Sequence, residues 1–176
     1  MFGGESFLIA DPHFGHHGVC RFLRDDGSKL RPWDDVSEMD EEMVLRWNDT
    51  VRPTDKVYVA GDVVINRKSL SILPRLNGTK VLIKGNHDIF KMSDYAPHFK
   101  DIRAYHILGG CLISHIPVHE ESLSRWKCNI HGHLHYRRVV DADGFIDPRY
   151  FCVSVEHIDY RPIHIEEVFT RIRNQQ

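Results

Sequence analysis

Lys80-Val-Leu-Ile-Lys-Gly-Asn-His-Asp88 decides the reading of this chain. Val81, Leu82 and Ile83 form a short apolar run of the kind a buried strand shows. Gly85 ends the run and lets the backbone turn. An amide, an imidazole and a carboxylate follow at once, on Asn86, His87 and Asp88. Open α/β sheets hold their ligands just past the carboxyl ends of their strands, so a reactive cluster here marks a site.

The same pattern recurs on both sides. Ser6 to Ala10 reads as a first buried strand, stopped at Asp11-Pro12-His13 because proline cannot continue a sheet interior. His16 and His17 lie between Gly15 and Gly18, in a loop dense in imidazoles. Arg21 to Asp35 is charged and aperiodic, a surface segment in the position of a flap. A helix opens at Ser37, with Ser37 and Asp40 in capping-box spacing. Met39, Met43, Val44 and Trp47 would form its apolar face, and such a stripe is core rather than a cofactor box. Lys56 to Ala60 reads as a second strand, running into Gly61-Asp62. Asn66 to Leu76 reads as an imperfect helix broken by Pro74, and Asn77-Gly78 as the turn into the third strand. Strand, helix, strand, helix, strand implies parallel pairing with right-handed crossovers.

The second half changes character. Ile102 to Leu108 and Cys111 to His115 are β-like and flank Gly109-Gly110, a hairpin signal. His119 to Trp126 has helical character, and Asn129 to His135 reads as a strand containing glycine. Tyr136 to Val140 and Phe151 to Val155 flank a tight turn at Asp141 to Gly144. Ile165, Val168, Phe169 and Ile172 recur at helical spacing. Parallel units followed by antiparallel ones predict a four-layer αββα sandwich. Two mixed sheets would pack together with helices outside, as a single domain over residues 1–176, with the polar clusters at the strand ends.

At 176 residues the chain can bury one substantial core. A formal net charge of -2 argues against bulk attraction to long duplex nucleic acid or an anionic membrane. The 13 histidines are not a tag, because they are spread from His13 to His164. Cys20, Cys111, Cys128 and Cys152 form no C-x-x-C pair and read as reduced, buried thiols. With no signal-peptide pattern at Met1 to Glu5 and no span-length apolar run, a cytosolic location is expected.

The polar residues past the strand ends are Asp11 and His13, then Asp62, then Asn86, His87 and Asp88, then His115, then His133 and His135. In an extended segment, residues two apart face one side, so Asp11 and His13 would share an aim, as would His133 and His135. Gly61, Gly85 and Gly132 each precede a candidate ligand, where a glycine lets the backbone come close. Carboxylate oxygen mixed with imidazole nitrogen suits Mn, Fe or Zn better than Ca or Mg. There are more ligands than one ion needs, so two divalent ions about 3.5–4 Å apart and bridged by a carboxylate are expected. With Asp11, Asp62 and one hydroxide as the anions, such a site carries about +1, attractive to a phosphate group. Singly, each residue has a plain structural reading: Asp11 or Asp62 as a turn or cap, His115 as a satisfied core histidine. Five blocks together outweigh it.

The series Asp11-x-His13, Gly61-Asp62, Gly85-Asn86-His87-Asp88, Ser114-His115 and Gly132-His133-Leu134-His135 resembles the calcineurin-like metallophosphoesterase superfamily. Asp11-Pro-His-Phe-Gly-His16, Trp47-Asn48, Leu76-Asn77-Gly78, Val153-Ser-Val-Glu156 and Arg161-Pro-Ile163 are similar to its small stand-alone members, common in bacteria and their phages. The protein-phosphatase branch is less similar, because Val63-Val64-Ile65-Asn66-Arg67 follows Asp62 and Asp88 closes the Asn-His motif. The resemblance implies a two-metal phosphoesterase, with phosphodiesters favoured, using a metal-bridging hydroxide in line on phosphorus. Asp11, His13 and His135 would hold one ion, and Asn86, His115 and His133 the other, with Asp62 bridging. The metal would be Mn in vitro, with Fe, Zn or Ni as alternatives. His87 would act at the substrate phosphate and Asp88 would orient His87. Asn86 and His16 would also touch substrate, a phosphate ester of nucleotide-like kind.

The runners-up are a phosphomonoesterase on a nucleotide or small phosphate and a nuclease on short oligonucleotides. In another class stands a non-catalytic scaffold built on this fold, which degenerate ligands would signal. His131 reads equally as a partner behind the ligands or as core. His17, His98, His106, His119, His157 and His164 read as surface or structural, and Arg21, Arg125 and Arg137 as solvated.

Overall fold

The structure, a computed structural model, describes residues 4–175. Strands β1 (Ser6–Ile9), β2 (Lys56–Val59), β3 (Thr79–Ile83) and β4 (Asp101–Arg103) pair in parallel, and β9 (Ile163–His164) lies antiparallel to β1. The order across this sheet is β4-β3-β2-β1-β9. The second sheet has the order β5-β6-β7-β8, formed by β5 (His106–Leu108), β6 (Cys111–Ile113), β7 (Asn129–His131) and β8 (Tyr150–Cys152). Its β5–β6 pair is antiparallel and the rest parallel, so both sheets are mixed. Helices α1 (Val36–Thr50), α2 (Met92–Tyr95) and α3 (Ile165–Gln175) and several 3-10 segments complete the two-sheet α/β sandwich. Buried side chains from both sheets, including Leu8, Val57, Leu82, Ile113 and Ile130, join those of α1 and α3 in one core.

Registry places the site. Ile9 is level with Val59, and Val59 with Leu82, so the chain leaves β1, β2 and β3 along one edge, at Asp11, Asp62 and Asn86. In the second sheet Ile113 is level with Ile130, and Ile130 with Phe151, so β6, β7 and β8 deliver His115, His133 and Ser154 to a matching edge. The two edges are stitched together where Ala10 donates to the Val153 carbonyl (2.9 Å) and Val155 donates back to Ala10 (3.0 Å). The turn into β3 is clamped by α1. Trp47 Nε1 donates to the Asn77 carbonyl (3.0 Å), and the Asn48 amide bonds both Arg75 and Asn77. Gly78 in that turn has φ +86°, a conformation side chains resist.

Three local expectations are corrected. Ser37 does not cap α1: Asp35 does, accepting from the amides of Ser37 and Glu38. Asp40 instead turns inward and accepts the Gly15 amide on both oxygens. Ile102 to Leu108 is not one hairpin arm. It divides into β4, hydrogen-bonded to β3, and β5, paired with β6, and so crosses between sheets. Tyr136–Val140 and Phe151–Val155 are not partners across the 141–144 turn. Val140 bridges Ile146, while β8 pairs in parallel with β7. In the two strand cases a local pattern lost to a longer-range pairing. All four cysteines are free and buried.

Candidate metal centre

Two groups of side chains converge where the sheet edges meet. Asp11, His13 and His135 form one, and Asp62, His115 and His133 the other, each with its donor atoms within 4.8 Å of one another. Asn86 joins the second, its Oδ1 lying 2.9 Å from His115 Nε2. All seven expected ligands are thus brought together. None of the six histidines read as surface or structural belongs to either group.

The grouping does not come from extended backbone. Asp11, His13, Asp62, His133 and His135 have φ of 57°, 51°, 55°, 70° and 53°. Asp and His tolerate this left-handed region better than most residues, yet each such residue still stores of order 1 kcal/mol or more. His133 and His135 accordingly do not share an aim but go to different groups. Gly85 matters by its lack of a side chain, because a Cβ there would collide with Asp62 Oδ1. At Gly132 a Cβ would sit 2.5 Å from Asp11 Oδ2.

Each central carboxylate has one oxygen committed and one presented. Asp11 Oδ2 accepts from Ser154 Oγ (2.6 Å) and the His133 amide (2.9 Å), leaving the buried Oδ1 without a partner. Asp62 Oδ1 accepts the His87 amide (2.8 Å). Its Oδ2 lies 3.5 Å from His13 Nε2 in one group and 3.2 Å from His115 Nε2 in the other.

The imidazoles are held from behind. His115 Nδ1 bonds the Ala60 carbonyl (2.8 Å) and His135 Nδ1 the Glu156 carboxylate (3.1 Å), so each presents Nε2 forward, as metal-binding histidines do. Both ring nitrogens of buried His13 lack hydrogen-bond partners among the described residues. Burial, then the charge of Arg31, holds His13 well below its usual range, hence neutral. Burial pushes Asp11 up to about 6, against the charges of His115 and His135 and the Ser154 hydroxyl. Buried orphan oxygen and nitrogen atoms on Asp11 and His13, beside a second cluster of carboxylate, amide and imidazole donors, fit divalent cations.

Asp88 differs from expectation. Its oxygens accept the amides of Gly85 (2.8 Å), Asp62 (2.9 Å) and Val63 (3.0 Å), with both oxygens engaged and neither bonded to the His87 ring. Fully buried, it ties the β2 turn to the β3 turn and positions Asp62 and His87 through backbone. Asp88→Asn must turn an amide NH₂ toward one of these N–H groups. It is expected to cost roughly 2–3 kcal/mol, read as a lower midpoint in urea unfolding. His87 is exposed, its ring 5.4 Å from that of His13. His131 lies behind the site, its Nδ1 on the Gly132 carbonyl (2.7 Å), and burial lowers it to about 4. His16 Nδ1 accepts the Gly18 amide (2.9 Å), which leaves Nε2–H as the donor of a neutral ring.

Three supporting residues escape a reading of strand ends. Arg31, with a side chain fully buried, donates to the Asp11 carbonyl (2.6 Å), the Pro12 carbonyl (2.7 Å) and Glu156 Oε1 (2.9 Å). Glu156 and Ser154 come from Val153-Ser-Val-Glu156, whose spacing alone assigns no role. Arg31 lies in the aperiodic 21–35 stretch, which is a structural wedge as well as surface: Leu30, Arg31 and Trp33 are buried.

The chain is 31% identical over 166 residues to the uncharacterized protein MJ1445 of Methanocaldococcus jannaschii, covering 91% of this chain and 86% of that one. The two belong to one family. No protein-family model matches the chain. Among solved structures, a protein of unknown function from Aquifex aeolicus, AQ665, superposes with TM-score 0.70 and 25% identity, over 96% of this chain and 99% of that one. The shared fold thus extends over nearly the whole chain. Nuclease MPE of Pseudomonas putida superposes with TM-score 0.48 and 21% identity, over 74% and 61% of the two chains. No helix among the described residues is long and apolar enough to cross a membrane.

Proposed function

We propose that this protein is a cytosolic, two-metal phosphoric ester hydrolase of the calcineurin-like metallophosphoesterase kind, acting on phosphodiesters of nucleotide-like substrates. The observation that carries the reading is Asp62 Oδ2, poised between His13 and His115 with its other oxygen committed to an amide. A carboxylate so placed suits a bridge between Asp11, His13 and His135 on one side and Asn86, His115 and His133 on the other. Asp11, His13 and His135 would hold one ion, and Asn86, His115 and His133 the other. When bound, the ions supply Lewis acidity and a nucleophilic water near neutral pH, with Mn the first choice in vitro.

The chain's own residues do the rest. Arg31, Glu156 and Ser154 keep Asp11 and His135 oriented. Asn86 and His87, both exposed, face the arriving ester from the turn after β3. His87 gives a proton to the leaving oxygen, and His16 Nε2–H donates to a phosphate oxygen. Purified protein with Mn²⁺ should hydrolyse bis(p-nitrophenyl) phosphate. Inactivity on diesters and monoesters with Mn²⁺, Ni²⁺, Fe²⁺ and Zn²⁺ alike would refute the reading. His87→Ala is expected to keep its metal content, measured by elemental analysis, while turnover falls about 100-fold, the lower range for a lost general acid.

A further inference from the structure

Large apolar side chains stand in solvent on two sides of the centre, where a polar site alone gives no reason for them. On one side Phe22 is 50% exposed and Leu23 61%, and with Leu30, Leu134 and Tyr136 they surround a hollow of about 330 Å³. His133 and His135, one from each metal group, also line it. On the other side Lys84, Asn86, His115 and Ile116 bound a hollow of about 370 Å³. Ala104 and Ser114 are shared with a neighbouring hollow of about 340 Å³, walled by Tyr105, Leu112 and Trp126. Tyr105 is 58% exposed and Ile116 50%. Each hollow is of the size that takes a small organic group.

The first hollow is built, not incidental. Residues 22–30 close into a small hairpin, with the Leu30 amide on the Phe22 carbonyl (2.8 Å) and Leu23 bridging Lys29. The hairpin is pinned across the site: the Asp25 amide donates to Tyr136 Oη (3.1 Å) and Arg137 to the Asp25 carboxylate (2.7 Å). Guanidinium groups of Arg24 and Arg137 lie 5.7 and 5.6 Å from the Tyr136 ring centre, so Phe22 is the ring left open. Its edge-on contact with His16 (5.7 Å) and that of His16 with His13 (5.7 Å) lead straight to the ligands.

We infer that the two hollows are subsites for the two arms of a phosphodiester, each arm bearing a planar aromatic group such as a nucleobase, with Phe22 stacking one of them. The inference rests on the hydrolase reading above. It supplies what that reading lacks, a structural reason for diesters over monoesters. A monoester would leave one hollow empty, and so would a diester with a methyl arm.

The test compares bis(p-nitrophenyl) phosphate with methyl p-nitrophenyl phosphate and p-nitrophenyl phosphate, all with Mn²⁺. Phe22→Ala is expected to raise KM for the bis-aryl diester about tenfold, the scale of one lost stacking contact, with kcat within twofold of wild type. The double variant Tyr105→Ala/Ile116→Ala, on the opposite side, is expected to raise KM for the bis-aryl diester as well, whereas the methyl diester, with one aryl arm, should respond to only one of the two variants. Mn²⁺-induced thermal stabilisation should be unchanged in both variants. Equal changes for bis-aryl and methyl diesters in both variants, no change for either substrate, or a wild-type preference for the monoester would overturn the inference while leaving the hydrolase reading intact. Failure of wild type to cleave any of the three with any of the four metals defeats the hydrolase reading itself.

Discussion

Arg31→Met is expected to lower the unfolding midpoint of the metal-free protein by about 6–20 °C, the equivalent of about 3–5 kcal/mol in a chain of this size. Arg31 is one of the largest fully buried side chains, and its charge is met by one carboxylate, that of Glu156. Removing it strands that carboxylate and leaves the Asp11 and Pro12 carbonyls without their donors. These carbonyls belong to the segment held at positive φ, so loss of the clamp also releases Asp11 and His13.

The pH dependence gives the sign. Burial alone would raise Glu156, but Arg31 and His135 outweigh it and hold the carboxyl at about 2, below its usual 4.5. A depressed folded-state pKa adds stability that is fully present above 4.5 and is lost as pH falls toward 2. Without Arg31, burial dominates and the carboxyl moves up. The deficit of Arg31→Met against wild type should therefore be largest at neutral pH and shrink as both proteins are acidified. Thermal or urea unfolding across that range measures it. A deficit constant with pH would remove the ion pair from the explanation. Adding Glu156→Gln should recover part of the loss, with a coupling of about 0.5–3 kcal/mol between the two positions.

What the sequence disclosed and what it hid follow from range. The Lys80–Asp88 stretch is readable because an apolar run, a glycine and a reactive triplet are all local, and β3 does end just before Gly85. The other strand ends repeat that grammar, so the seven candidate ligands could be collected one by one. Their backbone state could not be: nothing in Asp11-Pro12-His13 distinguishes an extended pair from two left-handed residues. Arg31 was hidden for a different reason. It has no periodic partner, and the carboxylate that gives it meaning is 125 residues away. Asp88 looked like a partner for His87 because they are adjacent, whereas its amides come from two separate turns. The division of Ile102–Leu108 between sheets is likewise decided by β3 and β6, not by the segment's own alternation.

Asp62→Asn is expected to abolish activity while leaving the fold in place. The substitution keeps size and keeps an oxygen able to accept the His87 amide, so the turn after β2 should survive. It removes the charge at the one oxygen that faces both groups, and an amide NH₂ placed there would point hydrogens at His13 and His115. Burial would raise Asp62, but its hydrogen bond to His115, followed by that imidazole's charge, keeps it ionised below its usual range. The wild-type site thus holds an anion where the two proposed cations would share a ligand. Losing several kcal/mol of transition-state charge stabilisation, at about 1.4 kcal/mol per tenfold, gives a rate loss of about 1,000-fold or more. Metal content should fall from two ions per chain toward one or none. With Mn²⁺ at 100 times its dissociation constant, wild type should gain about 2.7 kcal/mol per site against unfolding, and the variant much less. If Asp62→Asn bound two ions with undiminished thermal stabilisation, Asp62 would not bridge, and the two groups would have to be read as independent sites.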